Sequence, residues 1–167
     1  MYFVRAYFKK TKVYTPAKFI LVSTLIAVAG KFGVGLLIGI FSTLNGISMD
    51  GLLETGLGKI SNPVYLFFIL CIMLPVVETI IFQWLPITLL EKITSNIKLI
   101  IGIDAALFAF AHWDYSFIYV LTVLPLALVL AWSFIAHNND SLLKAGILTA
   151  SIHALYNFTA FVPIAFL

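Results

Sequence analysis

Charge is scarce in this sequence. Only 10% of the residues are Asp, Glu, Lys or Arg and 62% are apolar, against roughly 25% and roughly 45–50% in soluble domains. That balance excludes an ordinary soluble domain and points to a membrane protein. Cysteine is nearly absent: Cys71 stands alone inside an apolar run, so neither a disulfide framework nor a cysteine-based metal site can be built. Internal repeats at periods of roughly 20–50 residues are missing, which disfavours an inverted-repeat transporter. The net charge of +3 invites a nucleic-acid reading, yet five of the ten basic residues fall within the first eighteen positions. Such asymmetry sets topology instead, and nucleic acid is not an expected partner.

What is present is long apolar segments. The sequence predicts an all-α, polytopic helical membrane protein with about five transmembrane helices and an N-terminal amphipathic segment, since each span takes ~20 residues. Residues 1–18 carry Arg5, Lys9 and Lys12 on one helical face, with Phe3, Val4, Tyr7 and Phe8 on another. This reads as a basic interfacial segment on the cytoplasmic side of a multi-pass cell-membrane protein. Residues 19–167 are then one helical membrane domain.

The expected spans are 19–41, 64–90, 99–113, 117–136 and 142–167. A basic start followed by Ala27-Val28-Ala29 before Gly30 has the look of a cleaved signal peptide, but the apolar run continues through 32–41 and favours an uncleaved span. Ala29 with Gly33, and Gly35 with Gly39, are small-xxx-small pairs that predict close packing of this helix. Lys31 lies near its centre, where it can meet Glu78 or Asp104 or simply line a hydrated gap. Residues 42–62 read as an external loop with a short surface helix. The fourth span reads as scaffold, and Asp140 or Ser141 as the cap of the fifth. Five crossings place the amino terminus inside and the carboxyl terminus outside.

One residue has no local compensation. Glu78 is the only formal charge between residues 64 and 90, and a charged group at that depth costs roughly 2.5–3.5 kcal/mol on insertion scales. It stands between Pro75 and Pro86, each of which removes an amide donor and loosens the helix upstream. On the third span Asp104, Phe108 and His112 follow at i, i+4 and i+8; on the fifth, His153 and Asn157 are one turn apart. Glu78, His112 and His153 all fall near mid-depth, so a common cavity is geometrically allowed. A carboxylate, two imidazoles and an amide are the parts of a hydrolase: a base for water and donors for an oxyanion.

Three ordered motifs, Glu78-Thr79-Ile80-Ile81-Phe82-Gln83, then FxxxH ending at His112, then HxxxN from His153 to Asn157, resemble the CPBP (CAAX protease and bacteriocin-processing, or Abi) family of intramembrane proteases. The resemblance covers residues 75–157. It implies that Glu78 with His112 activates water, that His153 with Asn157 stabilises the oxyanion, and that Thr79, Gln83 and Phe108 support the site. The substrate is then a peptide or membrane protein reached within membrane lipid. The family's first motif is usually EExxxR, and here Thr79 and Gln83 replace the second glutamate and the arginine, a neutral pair still able to hydrogen-bond. Cleavage of prenylated CAAX proteins is therefore not carried over. The preferred mechanism requires no cofactor; the alternative places a divalent zinc on Glu78, His112 and His153. A second reading is a catalytically degenerate member that binds a peptide or partner, as in bacteriocin immunity.

Overall fold

A computed structural model describes residues 14–47 and 62–166 of the chain. The amphipathic segment therefore lies, for residues 1–13, outside the described residues, as does most of the external loop with its surface helix.

Each helix begins on a side chain suited to the task. In α1 (Pro16–Leu44), the Thr15 hydroxyl accepts from the Lys18 amide and Pro16 occupies the first turn, where its missing donor does no harm. Asn62 accepts from the amides of Val64 and Tyr65 to start α2 (Pro63–Ile93). Asn96 caps α3 (Ile97–Phe110), Ser116 caps α4 (Phe117–Asn138), and Ser141 receives the Lys144 amide at the start of α5 (Leu142–Phe166). Of the two cap candidates, Asp140 instead pairs with the Lys144 ammonium at 3.3 Å.

The fold is all-helical, with no strand among the described residues. Four helices are long and apolar enough to cross a membrane, and the chain is a multi-pass membrane protein. The third falls short: α3 has 14 residues, so at 1.5 Å per residue it reaches only about 21 Å of a core roughly 30 Å thick. The external carboxyl terminus rested on five full crossings, and α3 does not supply one by its length.

The two prolines of α2 produce wide turns. Residues Ile69–Met73 and Ile80–Trp84 are π-helical, each ending two residues before a proline, and the amides of Leu74 and Leu85 bond back five residues, to the Ile69 and Ile80 carbonyls. A proline ring collides with the carbonyl four residues earlier, and one extra residue in the turn relieves the collision. Glu78 sits on the short α-helical stretch Leu74–Thr79 between these two turns.

Helix α4 is the packing centre. Its Val123, Leu126, Ala127 and Leu130 share one buried cluster with Phe19 and Ala27 of α1, Ala105 and Phe108 of α3, and Ile152 and Tyr156 of α5. The approach of α1 to α4 is set by Gly30, where an added Cβ would lie 2.6 Å from the Pro125 side chain. The predicted packing pairs do not serve this role: Ala29 is exposed, and a Cβ at Gly33, Gly35 or Gly39 would meet nothing within 4 Å. Close packing is confined to the first half of α1. Beyond Lys31 only Ser42 is buried, and Phe32 is 72% exposed.

Candidate active site

A cavity of about 130 Å³ lies among the helices, lined from α1 by Lys31, from α2 by Glu78, from α4 by Tyr119 and Thr122, and from α5 by His153 and Asn157. Phe108 and His112 close it from α3 and the turn that follows. At roughly 10–15 Å³ per water by this kind of measure, it has room for several. The four candidate catalytic side chains all line this one space.

Glu78 Oε2 stands 3.5 Å from His153 Nε2, a contact slightly longer than a good hydrogen bond. The His153 side chain is 3% exposed and that of Glu78 20%, so the carboxylate faces the cavity and the imidazole forms its wall. Phe108 separates and orients the two histidines. Its fully buried ring meets His153 edge-on at 5.5 Å and His112 at 5.1 Å.

His112 does not lie within the helix, as its i+8 spacing predicts. Helix α3 ends at Phe110, and His112 stands in the turn beyond, its amide bonded to the Ala109 carbonyl. The ring is fixed nonetheless, with Nδ1 at 2.9 Å from the Phe108 carbonyl. A carbonyl only accepts, so Nδ1 carries a proton, and in the neutral ring Nε2 is left with its lone pair.

Asn157 is held by the consequence of Pro75. The Leu74 amide is committed to Ile69, and residue 75 has no amide to offer, so the Leu70 carbonyl loses both helical donors. Asn157 Nδ2 fills that place, donating to Leu70 at 2.9 Å from α5. One amide hydrogen thus ties α5 to α2 beside the site; the other is not required for that bond.

Thr79 and Gln83 do not line the cavity. Both are buried, and neither the Thr79 hydroxyl nor either end of the Gln83 amide has a hydrogen-bond partner among the described residues. The bond that this neutral pair is able to make is not formed. The π segment opens directly after Thr79, and a turn with an extra residue no longer stacks positions four apart. Asp104, fully buried with both oxygens unpartnered among the described residues, also lies off the cavity. Of the two partners proposed for Lys31, it is thus Glu78 whose cavity the lysine shares. No ion pair joins them.

Among the described residues no group of three His, Cys, Asp or Glu side chains is arranged to hold a metal ion, the Glu78, His112 and His153 set of the zinc alternative included. Sequence reasoning also missed the part of α4, whose Tyr119 ring lies 5.9 Å from His112 and lines the cavity. A tyrosine shortly after Trp113 and Tyr115 reads as part of an aromatic belt, and no charge marks it as anything else.

A family model described as Rce1-like, type II CAAX prenyl endopeptidase, matches residues 60–159. The match contains all three motifs and bears out the CPBP resemblance. No curated protein and no solved structure matches the chain.

Proposed function

From the fact that this chain belongs to the Rce1-like family of type II CAAX prenyl endopeptidases, a protease family, we propose that it is an intramembrane endopeptidase that hydrolyses a peptide bond with water activated by Glu78. The observation that carries this reading is the Glu78–His153 contact of 3.5 Å in the wall of a cavity that His112 and Asn157 also line. Glu78 takes a proton from a cavity water, and His112 Nε2 accepts the second hydrogen of the same water and orients it. The oxygen attacks the scissile carbonyl carbon. His153 Nε2–H and the second amide hydrogen of Asn157 stabilise the oxyanion that develops. When the carbon–nitrogen bond breaks, the proton held by Glu78 passes to the departing amine. No step runs through a metal, and no cofactor is required.

The substrate is a peptide or a membrane-protein segment that reaches the cavity from lipid. We place the protein in the cell membrane with its basic amino-terminal segment on the cytoplasmic side. Glu78→Ala and His112→Ala are each expected to lower cleavage of a reporter peptide by about 10²–10⁴-fold, with unchanged elution of the purified protein in detergent. Wild-type cleavage by either variant rejects the mechanism. The degenerate, partner-binding reading makes the opposite forecast, that protection by the protein persists in Glu78→Ala.

A further inference from the structure

Among the described residues that line the cavity, Lys31 is the only lysine or arginine. Its position is built rather than incidental. The Gly30–Pro125 approach fixes α1 against α4 one residue earlier, and the Lys31 ammonium lies over the Tyr156 ring, 5.7 Å from its centroid. An aromatic face answers a cation only in part. Among the described residues no ion pair within 4.0 Å joins this ammonium to a carboxylate. A cation held inside an apolar span without an anion is expensive, and such residues mark ligand paths.

The course of α1 gives the site a direction. Immediately after Lys31 the helix parts from the bundle, with Phe32, Leu36 and Leu37 all well exposed. A segment that arrives along this half of α1 meets Lys31 on entering the space where Glu78 stands.

Resting on the hydrolytic reading above, we propose that Lys31 binds a carboxylate of the substrate, so that the cavity selects peptides with an anion close to the bond that is cut. The bond is a charge-assisted hydrogen bond from the ammonium. The anion is either the C-terminal carboxylate of a chain or an aspartate or glutamate side chain.

The test uses the full chain purified in detergent and one short apolar peptide with a neutral coumarin label, in three forms: free C-terminal acid, C-terminal amide, and amide with one internal aspartate. Wild-type protein is expected to favour an anionic form over the neutral amide by about ten- to a hundredfold in kcat/KM, mainly through KM. Preference for the acid alone identifies the terminal carboxylate; preference for the aspartate form identifies the side chain. Lys31→Met brings the ratio close to one, and Lys31→Arg retains it. Lys31→Gln replaces the methionine variant if that protein does not fold. Equal kcat/KM for all three peptides, or a preference that survives in Lys31→Met, overturns the proposal. If wild-type protein cleaves none of them, the hydrolytic reading falls. Fluorescence anisotropy with the same peptides then decides the carboxylate site: tighter binding of an anionic form that is lost in Lys31→Met supports it, and equal binding overturns it.

Discussion

The two wide turns of α2 arise from the same local sequence, a leucine and a proline after an apolar run, yet they end differently. In the first, the freed Leu70 carbonyl receives Asn157 from α5, and the turn becomes a tie between helices at the edge of the cavity. In the second, Ile81 occupies the equivalent place and is half exposed on the outer face, while Gln83 is carried into the core with both ends of its amide unpartnered among the described residues. A proline creates the same vacancy each time. Whether it becomes useful depends on which side chain the neighbouring helix presents.

This contrast can be broken at several points. Asn157→Ala removes the donor to Leu70 and leaves a buried carbonyl unsatisfied, which costs about 1–3 kcal/mol; thermal unfolding in detergent is expected to show that loss together with reduced cleavage. At the other turn, Gln83→Leu replaces an amide that no described residue satisfies by an apolar side chain of similar size. The expected outcome is unchanged or higher thermal stability, up to about 1 kcal/mol, with cleavage retained, and a marked loss of stability would show that Gln83 has a partner after all. The smallest effect is a coupling. Pro75→Ala restores an amide five residues after Leu70, so Asn157→Ala should cost less in that background, and a double-mutant cycle should return an interaction energy of about 0.5–1 kcal/mol.

The same contrast explains what could be read from the sequence. Five apolar helices, distortion upstream of Pro75 and Pro86 and a cap at Asp140 or Ser141 follow from local chemistry and periodicity, which allow but do not dictate the gathering of Glu78, His112, His153 and Asn157 around one cavity. The partner of Asn157 does not, because it depends on a turn five residues wide that shifts which carbonyl is free. The orphaned Thr79 and Gln83 have the same cause. Gly30 was hidden because small-residue spacing marks a face without saying what lies opposite, and it is Pro125 of α4 that demands a glycine there. Helix α4 read as scaffold since its contributions to the site, Tyr119 and Thr122, carry no formal charge.

Glu78 and its cavity water are the centre of the proposed chemistry, and isotope labelling addresses them directly. Purified protein is incubated with a reporter peptide in water enriched in ¹⁸O, and the products are weighed by mass spectrometry. Hydrolysis by activated water predicts one ¹⁸O atom in the new carboxyl group with wild-type protein and no product with Glu78→Gln. Labelled product formed at the wild-type rate by Glu78→Gln would contradict the account.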